Sequence, residues 1–305
     1  MEETKSGDPS RWLTAMLTAL VIVAFAATAT LFAILLRPMA GDRPAVVTAA
    51  EPPVMADAPP VPSASDAAPP AALQPEPDAP PTPIVFDGPR IAIVLTGLGI
   101  NPAQTRAAIA DLPSEVGLAF SPYPEATQAL AAEARVAGHE VWAGIPMQPK
   151  SWPRVSPGAH TLLVGATDAE NRARLGWALA RIGPVRGVTS IMGSAFTESA
   201  AALDPVITEL RDRKLMFLDS RSSGKSVAVR RARATGVPAL LNDRYLDESG
   251  DLPERLAGLE QAARDKGSAV GFASPTPASV ATIAAWAKTL EAKGMRLVAA
   301  GSLAK

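Results

Sequence analysis

Five aliphatic residues stand in a row at Ile91-Ala92-Ile93-Val94-Leu95, three of them β-branched. An unbroken run of this kind reads as a strand buried on both faces, which is the habit of parallel sheets. It breaks at Thr96-Gly97-Leu98-Gly99, a small-residue turn, and Asn101-Pro102 then offers a helix cap with Pro at the first helical position. Ligand and catalytic sites in parallel α/β folds are built at the carboxyl ends of strands. The turn after this strand is therefore the first place to look for chemistry, and it is polar without being ionisable.

The pattern that follows repeats this unit. Helical and strand segments alternate from Ala103–Leu112 (helix) and Val116–Phe120 (strand) through Glu125–Ala137, Val141–Ile145, Asp168–Ile182, Val185–Val188, Leu203–Lys214, Met216–Leu218, Ser226–Thr235, Ala239–Leu241, Pro253–Lys266, Ala269–Phe272, Val280–Lys293 and Arg296–Ala299. Eight or so strands separated by helices predict a parallel sheet, open or closed into a barrel. Residues 89–305, 217 in all, amount to one domain.

What precedes it is different. Residues 1–11 form a short polar tail. Trp12 to Leu36 carries no charge over 25 residues, about 37 Å as a helix and enough to cross a bilayer core. A signal peptide's apolar core runs only about 7–15 residues, so an uncleaved anchor is expected over 12–36. Residues 37–88 are Ala/Pro-rich, with 13 of the chain's 30 prolines between Pro44 and Pro83. That composition has no apolar face with which to offset its ordering entropy, and predicts a disordered linker. Lys5 and Arg11 before the span balance Arg37 and Arg43 after it, so charge leaves the orientation open.

Composition narrows the chemistry. The chain has no Cys, which removes thiolate chemistry, and only two histidines, His139 and His160. A net charge of −1 and a pI of 6.2 give no electrostatic case for nucleic acid. There is no P-loop, dinucleotide fingerprint or HExxH motif.

Several stretches together resemble the divergent polysaccharide deacetylases, relatives of the NodB-type carbohydrate esterases. They are Ile91–Gly99, Leu118–Tyr123, Gly138-His139-Glu140-Val141, Ile145–Pro149, Met192-Gly193-Ser194, Phe217–Arg221 and Pro275-Thr276-Pro277, in family order along residues 89–305. The resemblance implies a distorted (β/α) barrel of the glycoside hydrolase/deacetylase type. It also implies a single-pass inner-membrane anchor with residues 1–11 in the cytoplasm and the barrel in the periplasm. A zinc-dependent deacetylase site is the family's pattern, and this sequence departs from it. Thr96 and Gly97 stand where an Asp pair is usual, Ile191 where a metal-binding His is usual, and Ser274 follows Ala273 where Gly-His is common. Thr, Gly, Ile and Ser supply no anionic ligand, no imidazole and no base. No zinc and no other cofactor is therefore expected.

The remaining candidates are read on their merits. His139 suits a helix end and His160 a loop. Asp219-Ser220-Arg221 follows a strand and is open to two readings, sugar hydrogen bonding or an Asp–Arg brace. Asp243 and Asp247 frame a loop. Trp142 and Trp152 are candidate sugar platforms, with Trp152 the better placed, and Trp177 belongs to a helix core. Thr96, Ser194, Asp219, Arg221 and Ser274 are expected to converge at one end of the barrel as a ligand site. The expected function is a non-catalytic module binding envelope polysaccharide or a periplasmic protein. The alternative is an active deacetylase, its site rebuilt around Asp219, Asp243 or Asp247.

Overall fold

The computed structural model describes residues 86–247 and 251–305. The anticipated anchor at 12–36 and nearly all of the linker lie outside them. Among the described residues no helix is long and apolar enough to cross a membrane.

The aliphatic run is the middle of β1 (Arg90–Leu98), and Ile91 to Leu95 have no exposed surface. Asn101 caps α1 (Pro102–Asp111), accepting the Gln104 N–H at 3.1 Å. The chain then alternates through β2 (Gly117–Phe120), α2 (Thr127–Val136), β3 (Val141–Met147), α3 (Asp168–Ile182), β4 (Gly187–Met192), α4 (Ala200–Asp212), β5 (Met216–Asp219), α5 (Ala228–Ala234), β6 (Ala239–Leu241), β7 (Arg244–Tyr245), α6 (Leu252–Lys266), β8 (Ser268–Ala273), α7 (Pro277–Ala287) and β9 (Arg296–Leu297). Every strand pair is parallel.

The strand order is β6-β5-β4-β3-β2-β1-β8-β7, with β9 paired to the start of β1. The two ends of this path are one piece of chain. β6 pairs with β5 through Leu241, Asn242 N still donates to Asp219 O, and Asp243 N already donates to Val270 O on β8. A single bent segment thus changes partners within two residues and links the two edges. The architecture is a parallel-strand α/β fold, consistent with a (β/α) barrel.

Two cores follow from the alternation of side chains along the strands. Ile91, Ile93 and Leu95 face the helix layer and join its large apolar cluster. Ala92 and Val94 face the other way and meet Ala119, Trp142, Leu218, Leu240, Val270 and Phe272, with Ala300 and Leu303 of the C-terminal segment. Trp142 is the largest side chain of this inner cluster, fully buried, which rules it out as a sugar platform. It fits because its neighbours are small. A Cβ on Gly187 would sit 2.7 Å from the indole and 2.4 Å from Met216 O.

The structure corrects several boundaries. β4 starts two residues later than predicted and runs on to Met192, because Thr189 to Met192 keep pairing with β3. α7 stops at Ala287 where a helix through Lys293 was predicted. The Thr289 hydroxyl donates to Trp286 O, satisfying a last-turn carbonyl, and the chain continues as a separate 3-10 turn at Glu291–Lys293. β7, only two residues long, was predicted as loop.

Candidate functional site

The carboxyl ends of β1, β4, β5 and β8 open on one side of the parallel sheet. At β1 the register with β2 slips between Thr96 and Leu98, leaving Gly97 as a bulge at φ 83°. Thr96 lies on the inner face with Ala92 and Val94. Ser274 follows Ala273, which pairs with Leu95, so Thr96 and Ser274 are neighbours across the β1–β8 edge. At β4, Ile191 turns inward and packs against Gly144 of β3, where an added Cβ would lie 3.0 Å from its side chain. Ser194 follows on the loop, its hydroxyl accepting Lys150 N–H at 3.0 Å.

Asp219 departs from the expected convergence. Leu218 faces the inner cluster, so alternation turns Asp219 toward the helix layer. Its carboxylate accepts from Arg221 N at 2.8 Å and from Ser226 Oγ at 2.5 Å, and only 1% of the residue is exposed. Burial pushes this carboxyl above its ordinary value, with the two hydrogen bonds and the nearby Arg221 charge only partly offsetting it. The hydrogen bonds given to this carboxylate come from the Arg221 main chain and the Ser226 hydroxyl, and no Asp219–Arg221 side-chain ion pair forms among the described residues. Arg221 itself stands exposed at φ 60°.

Met192 also has a positive φ, 59°, so two non-glycine residues at adjacent strand ends hold left-handed backbone. Such conformations cost on the order of 1–3 kcal/mol each and persist where surrounding structure fixes them. Here hydroxyls do the fixing. Ser190 Oγ and Ser220 Oγ lie 2.8 Å apart, Ser190 Oγ accepts Ser220 N–H at 3.1 Å, and Ser222 Oγ donates to Met192 O. Glu198 pairs with Lys150 Nζ at 2.6 Å and accepts from Ser223 Oγ. Hydrogen bonds from Lys150 and Ser223 hold the Glu198 carboxyl below the usual range.

The carboxylates proposed for a rebuilt site are each held apart. Asp243 pairs with Lys266 at 2.8 Å and accepts Val270 N–H at 2.9 Å, and Asp247 accepts Ser274 N–H at 2.5 Å. His139 is buried with Nδ1 2.9 Å from Val116 O and Nε2 3.1 Å from Ile109 O, so it ties α1 to the start of β2. His160 stacks on Trp177 at 3.6 Å, with Tyr123 on the same indole at 5.5 Å. Trp177 is thus half-buried at the helix-layer edge. Trp152 is half-buried in the β3–α3 loop. Among the described residues no three His, Asp or Glu side chains gather as a metal site. The groups at the degenerate strand-end positions, the Thr96 and Ser274 hydroxyls and the aliphatic Ile191, do not suit zinc.

Beside Arg221 lies a cavity of about 330 Å³, lined also by Gly224, Asn242, Asp243, Arg244, Tyr245 and Arg255. Asn242 is buried there, its amide donating to Ser220 O at 3.2 Å. Arg244, Tyr245 and Arg255 were missed from sequence because the β6–β7 partner switch brings them to Arg221. The sequence signal was Arg244-Tyr245 beginning three residues past the strand that ends at Leu241.

The comparisons agree with this geometry. Residues 93–304 match the divergent polysaccharide deacetylase family. An uncharacterized protein of Haemophilus influenzae is 31% identical over 217 residues, 70% of this chain and 76% of that protein. YibQ, an uncharacterized protein of Escherichia coli, is 28% identical over 63% of this chain and 60% of its own length. The crystal structure of an uncharacterized protein of Agrobacterium tumefaciens superposes with a TM-score of 0.68 at 35% identity, covering 71% of this chain and 89% of that one. The chain belongs to the divergent polysaccharide deacetylase family.

Proposed function

We propose that this protein is a membrane-tethered, periplasmic member of the family that binds envelope polysaccharide without hydrolysing it. The observation that carries the reading is the content of the strand ends. Thr96, Gly97, Ile191 and Ser274 offer hydroxyls, a backbone bulge and an aliphatic group, while Asp219 is turned away into a buried brace. Metal-assisted deacetylation requires a Lewis acid and a base positioned at its water, and neither is supplied by these groups. Hydroxyls at these strand ends suit the hydrogen bonding of a sugar.

The test uses the full chain solubilised in mild detergent. It is expected to be retained on immobilised envelope polysaccharide and to release no acetate from N-acetylated glycan, and added zinc is expected to leave its melting temperature unchanged. Chelator-sensitive acetate release would overturn the non-catalytic half of the reading. Free passage over every envelope polysaccharide would overturn the binding half.

A further inference from the structure

Hydroxyls account for recognition of a neutral sugar but leave the arginine-lined cavity without a role. Arg221 and Arg244 are exposed on its walls, and among the described residues neither guanidinium has a carboxylate within 4.0 Å. The cavity's own carboxylate, Asp243, is already neutralised by Lys266 and by Val270 N–H. Among the described residues these two guanidinium groups are therefore left without an ion-pair partner.

Both arginines are also placed at a structural cost. Arg221 is presented from left-handed backbone, fixed by the buried Asp219 carboxylate. Arg244 lies over Gly258, the one glycine inside α6, where an added Cβ would come within 3.0 Å of its guanidinium carbon. Gly in a helix interior is less favourable than Ala. Two unfavourable local choices thus accompany two arginines that line one cavity. At about 330 Å³ it is at the small end of ligand pockets, with space for one sugar ring and not a chain.

We infer that this cavity binds an anionic substituent, a carboxylate or phosphate, on the envelope polysaccharide, with Arg221 and Arg244 as its ligands. The inference rests on the glycan-binding reading above and specifies its substrate class. A planar guanidinium matches either anion through two parallel hydrogen bonds.

The experiment titrates the full detergent-solubilised chain with three oligosaccharides of equal length: neutral N-acetylated, uronate-containing and phosphate-bearing. One charged ligand is expected to bind at least tenfold more tightly than the neutral one at low salt, and the two charged arms identify which anion is used. The preference should collapse in Arg221→Ala and Arg244→Ala and persist in Arg230→Ala. Because Arg221→Ala could disturb the β5 loop, Arg221→Lys and Gly258→Ala are included. The first keeps charge but loses the fork, and the second favours helix while pushing the Arg244 guanidinium aside. Both are expected to fold and to lose several-fold preference. Equal binding of neutral and charged ligands by the unmodified protein would overturn this inference and leave the glycan reading standing. Loss of all three would overturn both.

Discussion

Asp219 and His139 show how much a single side chain's environment decides. Each carries chemistry by residue type, and each is spent on backbone. His139 sits between two carbonyls, Val116 O and Ile109 O, and its ring N–H donates to one of them; leaving a buried acceptor unpaired would cost about 1–3 kcal/mol. Asp219 has a testable pH signature. Burial raises its carboxyl above the ordinary 3.8, so the folded state keeps this proton to higher pH than the unfolded state does. Linkage then makes the group's contribution complete below the unfolded value and lost as pH rises through the folded one. Asp219→Asn removes that titration and can still accept from Arg221 N. Urea unfolding across pH 3 to 7 should show a flatter profile just above pH 3.8 for the variant, with stability at pH 7 equal to or above that of the unmodified protein. A variant whose stability still falls over that window would show that another group dominates it.

At the scale of elements, the sheet is organised around the space for Trp142. Its strand partners are Ala119 and Gly187, and Gly117 and Ala92 beside it are equally small, so the indole has room to fill the barrel. Gly187→Ala would drive a methyl into Met216 O at 2.4 Å and the Trp142 ring at 2.7 Å, and overpacking of this kind costs about 1–3 kcal/mol. A fall of that size in unfolding free energy is expected by denaturant titration, and an unchanged midpoint would mean the β4–β5 edge yields freely. The strands and helices around this core were legible in the sequence because buried parallel strands leave aliphatic runs, as at Ile91–Leu95, and helices leave caps, as at Asn101-Pro102. Residues that depend on facing direction were not. Whether Asp219 looks into the barrel depends on the register of a four-residue strand, and one position either way reverses it. The meeting of Arg221 with Arg244 depends on a partner switch at Asn242–Asp243 that leaves no periodic trace.

At the scale of the whole molecule, the proposal joins a binding domain to a membrane through a long tether. Trp12 to Leu36 is uncharged over 25 residues, long enough to span, and the Ala/Pro-rich residues after it are the proposed tether. A tether of that kind would let the domain that carries Thr96, Ser274 and Arg221 sample polysaccharide well beyond the bilayer surface while keeping it at the envelope. That arrangement increases the local concentration of a weak binder, since effective concentration depends on linker length. Deletion of residues 12–36 should therefore have two separable effects. The protein should pass from the carbonate-resistant membrane fraction to the soluble one, and its affinity for oligosaccharide in solution should be unchanged, because the strand-end residues lie in a different part of the chain. Retention in the membrane fraction after the deletion would place attachment in the 89–305 domain, and a soluble, N-terminally processed form of the undeleted protein would make 12–36 a leader. A fall in solution affinity would assign part of the binding surface to the N-terminal segment.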